Sequence, residues 1–327
     1  MSETAIKAFD RLHPSLQESL YRMRWTKLRP IQVDAIHEVY DGKGDILIAA
    51  RTAAGKTEAA FLPILSRILD EPKSGIRAVY AGPLKALIND QFSRLEELCK
   101  EAEIPVHKWH GDVSSSAKRK LIERPSGVLL ITPESIESLF INHAQRLGDL
   151  FPHLSFIVID ELHSFIGNER GAHLRSLIRR LALKSRETVR RAGLSATFGT
   201  ELHAVRGWLQ PSDPDSVRVI EDPAKKTIEL KILGYLKPPR HQEKAQSDDE
   251  EETPVAGDLE SDVFETFHGK TALIFANAKC RIEKLADFAR RESVRRGWPD
   301  LCRVHHGSLS KGEREETEED LKSNRPP

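Results

Sequence analysis

The stretch Ala49-Ala50-Arg51-Thr52-Ala53-Ala54-Gly55-Lys56-Thr57 has the residue types and spacing that hold a phosphate chain. It follows the apolar run Ile46-Leu47-Ile48 and precedes a helical pattern. A loop with little side-chain bulk lets backbone N–H groups close around phosphate oxygens, and the next helix aims its positive end at the same anion. In that geometry Lys56 reaches the β- and γ-phosphates and the Thr57 hydroxyl ligates Mg²⁺. The consensus G-x-x-x-x-G-K-[ST] has glycine where this chain has Ala50, and Ala53 and Ala54 fill the loop centre. An alanine at position 53 narrows the left-handed backbone options, so weaker nucleotide binding is expected. The same residues also suit a plain strand–turn–helix in which Gly55 only serves the turn.

A second group lies about a hundred residues on. Phe156-Ile157-Val158-Ile159 is a continuous apolar run ending in Asp160-Glu161-Leu162-His163. Such a run suits a strand buried on both faces of a parallel sheet, and ligands bind at the carboxyl ends of such strands. Asp160 is placed to hold Mg²⁺ through its water shell and Glu161 to position or deprotonate the attacking water. An acidic pair after a strand can also be a helix N-cap.

These groups need a scaffold, and the rest of the chain supplies one. Strand-like runs at 46–49, 77–81, 128–131, 156–159 and 192–195 recur at helix-sized intervals. Alternation of this kind implies parallel βαβ units with helices on both faces, an α/β fold. From 170 to 191 the chain carries Arg170, Arg175, Arg179, Arg180, Lys184, Arg186, Arg190 and Arg191 against Glu169 and Glu187. Leu174, Leu177, Ile178 and Leu181 give this window a helical pattern with one buried stripe and a basic face.

In order along the chain, these segments and several others resemble the superfamily 2 helicases of the DEAD/DEAH-box, DExH type. Leu28-Arg29-Pro30-Ile31-Gln32 resembles the adenine-recognition segment, which would make Gln32 the adenine partner. Gly82-Pro83-Leu84-Lys85-Ala86-Leu87-Ile88-Asn89-Asp90-Gln91 is similar to motif Ia, Trp109-His110-Gly111-Asp112 to the glycine segment, and Thr132-Pro133-Glu134-Ser135 to motif Ib. Ser195-Ala196-Thr197 resembles motif III, which couples nucleotide and nucleic-acid sites. The segments 272–277 and 304–310 look like motifs IV and IVa. Arg170-Gly171-Ala172-His173-Leu174, Phe61-Leu62-Pro63 and His306-Gly307-Ser308-Leu309-Ser310 point within the superfamily to the large helicase-related (Lhr) group.

The resemblance implies a RecA-like P-loop NTPase fold that takes ATP and Mg²⁺. Arg51, Thr52, Ala53, Ala54, Gly55, Lys56 and Thr57 would cradle the nucleotide. Thr57 and Asp160 would hold the metal, and Lys56, Asp160 and Glu161 would carry the chemistry. Pro83, Lys85, Asn89, Gly111, Thr132 and Ser135 would grip a nucleic-acid backbone, with Arg170 and Arg175 as further candidates. It implies translocation with 3′-to-5′ polarity on single-stranded or partly duplex nucleic acid, DNA before RNA. A remodelling ATPase that separates no strands and a binding fragment without turnover remain alternatives.

Length and composition set bounds. The chain has 327 residues, enough for roughly two domains. Lys plus Arg equals Asp plus Glu at 50 each, so net charge gives no global signal for nucleic acid. No apolar run approaches the ~18 residues of a membrane span and no secretory leader is evident, so a cytoplasmic protein is expected. Cys99, Cys280 and Cys302 are far apart and the histidines show no ligand spacing, which gives zinc no support. The first domain is expected over 1–222. The strand expected at 227–233 and the acidic stretch containing Asp248-Asp249-Glu250-Glu251-Glu252 form a connector over 223–262. A second RecA-like lobe would start near Val263 with two strands and two or three helices, ending in a polar helix over 311–327. Motifs V and VI, with the arginine fingers, do not occur, so the chain reads as the N-terminal part of a longer helicase.

Overall fold

The computed structural model describes residues 3–51, 54–196, 202–222, 229–235 and 259–323. They fall into two units, Met1–Lys225 and Lys226–Pro327.

The first unit begins with three helices, α1 (Glu3–Asp10), α2 (Pro14–Arg22) and α3 (Pro30–Asp41). It continues as β1 (Ile46–Ala49), α4 (Lys56–Asp70), β2 (Gly75–Ala81), α5 (Lys85–Cys99), β3 (Val106–Trp109), α6 (Ser115–Glu123) and β4 (Ser126–Ile131). The remainder is α7 (Pro133–Asn142), α8 (Leu147–Leu150), β5 (Phe156–Ile159), α9 (Glu169–Ala182), β6 (Arg190–Ser195), α10 (Leu202–Leu209) and β7 (Arg218–Glu221). The strands form one sheet in the order β3-β4-β2-β5-β6-β1-β7, with every neighbouring pair parallel.

Strand periodicity explains the layering. Successive side chains leave a strand on opposite faces, so Ile46, Ile48, Ala78, Tyr80, Phe156 and Val158 fill one apolar core. Leu47, Val79, Ala81, Ile157 and Ile159 fill the other. The stripe Leu174, Leu177, Ile178 and Leu181 of α9 packs into the second core. Every residue of β1, β2 and β5 is buried, the burial expected of strands covered by helices on both faces.

Several elements differ from the sequence expectation. The strands β3 and β7 were not expected. Both lie at sheet edges, and Val-His-Lys-Trp and Arg-Val-Ile-Glu bury one face at most. The basic window is not one helix. It breaks after α9, and Arg190 and Arg191 lie on β6, where Arg190 donates to the carbonyls of Gly44 (2.9 Å) and Val39 (2.8 Å). Those two arginines therefore fasten the fold. Of the strand expected over 227–233, residues 229–233 form no strand, and 227–228 lie outside the described residues. Leu230 and Ile232 are exposed, so no cover rewards an extended pairing there.

The second unit holds α11 (Leu259–Phe267), α12 (Lys279–Arg296) and α13 (Lys311–Ser323). Helix α11 starts inside the stretch read as connector, with Glu260 and Asp262 favouring its first turn and Val263, Phe264 and Phe267 along it. Phe264 stacks on Trp298 at 6.1 Å, and Ala286 is buried. Among the described residues this unit has no strand, against the two expected. Leu273, Ile274 and Phe275 are exposed, and no neighbouring strand offers their backbone a ladder.

Candidate functional site

The loop after β1 is held from three sides. Ala50 N donates to Ser195 O (3.1 Å) on the line of β6, and Ala54 N donates to Arg51 O (3.1 Å). Gly55 caps α4 at φ +83°, a left-handed conformation that costs an L-residue roughly 1–2 kcal/mol. A Cβ at Gly55 would also lie 2.7 Å from Gln32 Nε2, so the left-handed backbone demands glycine and any other residue would displace the glutamine amide. Gln32 is buried on α3, and its Oε1 accepts from Arg29 N at 2.8 Å. The adenine-segment glutamine and the phosphate loop thus meet at Gly55. Lys56 is 9% exposed and donates from Nζ to Ala50 O (2.7 Å) and Arg51 O (3.2 Å). Its hydrogen bonds to described residues go to these two neutral carbonyls, an arrangement that suits an incoming anion. Thr57 is buried beside it and Arg51 is exposed. Thr52 and Ala53, and with them the expected effect of alanine at 53, lie outside the described residues.

The acidic pair follows β5 directly. Asp160 N donates to Ala81 O (3.0 Å), which extends the β2–β5 ladder by one residue and fixes where the carboxylate starts. Asp160 is 3% exposed. Burial raises its pKa despite hydrogen bonds from Tyr80 and Glu161 N and the nearby charge of Lys56, which pull the other way. Glu161 has φ +49° and ψ +44°, left-handed and therefore strained for a residue with a Cβ. His163 Nδ1 lies 3.1 Å from Ser195 Oγ and 3.4 Å from Glu161 Oε2. One imidazole thus joins the acidic motif to the Ser195-Ala196 segment; Thr197 lies outside the described residues.

A groove of about 530 Å³ opens at the carboxyl ends of the neighbouring strands. Pro83, Lys85, Gly111, Thr132 and Ser135 all line it, as does Arg170. The N-termini of α5 and α7 begin at Lys85 and Pro133 beside it. Helix N-termini offer N–H groups and positive potential to phosphate oxygens. Lys85 Nζ bonds Asp112 Oδ1 (2.9 Å). Arg170 bonds Glu134 Oε1 (2.7 Å) and Pro83 O (2.7 Å). Burial pushes the Glu134 carboxyl up, but the hydrogen bond from Arg170, the Arg170 charge and hydrogen bonds from its own backbone and Thr132 together outweigh this and hold it below the usual carboxylate range. Asn89 does not line the groove. Its Oδ1 is within 3.1 Å of Lys108 Nζ and of His110 Nε2, so it steadies the β3 end from behind. Arg175 is exposed on α9 and also outside the groove.

Sequence reasoning missed Trp109 as a wall of the groove and Lys118, whose Nζ lies 5.7 Å from the Trp109 ring centroid. Lys118 falls in no motif; Trp109 heads the glycine segment, of which only Gly111 was named as a contact. It also missed the ion pair of Arg94 with Glu58 on α4.

Comparison with known proteins agrees with this arrangement. A family model described as DEAD/DEAH box helicase matches residues 29–205. The ATP-dependent helicase Lhr-Core of Sulfolobus acidocaldarius is 30% identical over 320 residues, covering 92% of this chain and 35% of the relative. The Lhr-Core of Methanocaldococcus jannaschii is 29% identical, covering 92% of this chain and 36% of the relative. Among solved structures, Mycobacterium smegmatis helicase Lhr bound to ssDNA and AMP-PNP superposes with a TM-score of 0.77 at 28% identity. That superposition covers 97% of this chain and 41% of the other. The chain spans little more than a third of the length of the curated relatives it matches.

Proposed function

The chain belongs to the DEAD/DEAH box helicase family, and from that premise we propose that it is the ATP-binding part of a nucleic-acid motor, with DNA as its track. The observation that carries the reading is a shared sheet edge. The phosphate loop, the acidic pair and the groove all lie at the carboxyl ends of one parallel sheet, and His163 stands between the acidic pair and Ser195. Lys56 and the α4 N-terminus bind the phosphates, and Gln32 recognises adenine. Thr57 and Asp160 would hold Mg²⁺: a buried hydroxyl and a buried carboxylate are oxygen donors that fit a hard cation. When bound, the ion would supply charge neutralisation at the phosphate, and Glu161 orients the attacking water.

Lys85, Gly111, Thr132, Ser135 and Arg170 take the sugar–phosphate backbone, which carries no sequence information, so the grip is sequence-tolerant and salt-sensitive. The capture of the M. smegmatis relative with ssDNA supports DNA as the track. Steady-state ATP hydrolysis with and without single-stranded DNA tests the motor reading; DNA-stimulated turnover that disappears in Glu161→Gln supports it.

A second reading, nucleotide and nucleic-acid binding without turnover, is favoured by the second unit, whose described residues hold three helices and no strand. Tight binding of both ligands with no hydrolysis under any condition would select it.

A further inference from the structure

The Mg²⁺ ligand Asp160 is not oriented by its own loop alone. Its Oδ1 accepts from Glu161 N at 2.8 Å, and its Oδ2 accepts the hydroxyl of Tyr80. Tyr80 lies on β2 opposite Val158 of β5, and its ring is fully buried with its centroid 6.2 Å from that of Phe61 on α4. The hydroxyl makes no other hydrogen bond to a described residue, so its single proton has one acceptor. Two donors on two oxygens fix the plane of a carboxylate: one comes from the residue after it, the other from a strand 80 residues away.

We propose that Tyr80 is a positioning residue for the nucleotide-bound metal, holding the Asp160 carboxylate in its metal-binding orientation before nucleotide arrives. This rests on the reading of Asp160 as the Mg²⁺ ligand. The physical reason is preorganisation. A carboxylate free to rotate must be ordered when the metal–nucleotide complex enters, and that ordering weakens binding. Removing the hydroxyl leaves Oδ2 with one partner fewer in a site that water barely reaches. Tyr80 lies outside the motifs that carry the family resemblance, the nearest of which opens at Gly82.

The test is the Mg²⁺ dependence of AMP-PNP binding by the full chain, read by calorimetry in EDTA and at rising Mg²⁺. For Tyr80→Phe, which keeps the ring, the affinity in EDTA stays within about twofold, while the Mg²⁺ concentration giving half the enhancement rises about three- to tenfold. Phe61→Leu loosens the same packing without touching the hydrogen bond; it lowers the melting temperature and leaves the Mg²⁺ midpoint unchanged. An unchanged midpoint in Tyr80→Phe, an equal loss in EDTA and in Mg²⁺, or a shift in Phe61→Leu as large as that in Tyr80→Phe overturns the role. Asp160→Asn separates the two levels. If it leaves the Mg²⁺ midpoint at the parent value, the metal assignment itself is wrong and the role of Tyr80 falls with it. If it shifts the midpoint and Tyr80→Phe does not, only the role of Tyr80 is lost.

Discussion

The nucleotide pocket and the groove beside it grow from the same sheet edge but hold their charges in opposite ways. In the pocket, Gln32, Lys56 and Asp160 are buried and fastened by main-chain or tyrosine partners. In the groove, the side chains of Lys85 and Arg170 are 53% and 39% exposed, and each is paired with a still more accessible carboxylate. Buried groups with fixed partners make a preformed, stereospecific site in which each deletion is costly. Exposed ion pairs are individually weak and exchange readily, which suits a track that must be gripped and released. The contrast is the one that the proposed division between a nucleotide site and a polymer track requires.

The contrast can be broken at several points. The largest effect is expected in the pocket from Gly55→Ala, which forces a Cβ into a left-handed residue and against Gln32. Nucleotide binding should fall at least tenfold, with stability lowered by roughly 1–2 kcal/mol; calorimetry and thermal melts check both, and a parent-like affinity would contradict the packing at Gly55.

Glu161 is next. Relief of its left-handed strain by Glu161→Gly should raise stability by about 0.5–1 kcal/mol while turnover is lost. A drop in stability would mean that the turn carries no strain.

In the groove the effects shrink. Arg170→Ala should weaken single-stranded DNA binding several-fold and lower the slope of log affinity against log salt by about 0.7, the value for one phosphate contact on a single strand. Lys85→Ala should lower the slope by a similar amount with a smaller loss of affinity, because an ammonium offers a phosphate a point charge where the Arg170 guanidinium offers a planar fork of donors. Unchanged slopes in both variants would remove the groove from the track.

Much of this was legible in the sequence, and the exceptions have a physical pattern. The strands β1, β2, β4, β5 and β6 announced themselves because burial on both faces demands unbroken apolar runs, whereas the edge strands β3 and β7 mix charge with apolar residues and look like loop. The phosphate loop and the acidic pair are local patterns, and their described residues follow strands of one parallel sheet at its carboxyl edge. What sequence could not give is the pairing of distant residues. Tyr80 meets Asp160 across 80 residues and Arg170 meets Glu134 across 36, contacts set by strand order and helix packing. The second unit failed as an α/β reading for a related reason. Its apolar run at 272–276 has the composition of a strand but no neighbour to pair with among the described residues.

The most direct test measures both ligands on two variants. Mg²⁺–AMP-PNP and single-stranded DNA affinities are determined separately for the parent, Lys56→Ala and Arg170→Ala. Two distinct sites predict a crossed result: Lys56→Ala loses at least tenfold for nucleotide through its charge-assisted contacts and keeps its DNA affinity, while Arg170→Ala weakens DNA and keeps nucleotide. Lys56→Ala with parent-like nucleotide binding, or both variants losing both ligands together, would contradict the account.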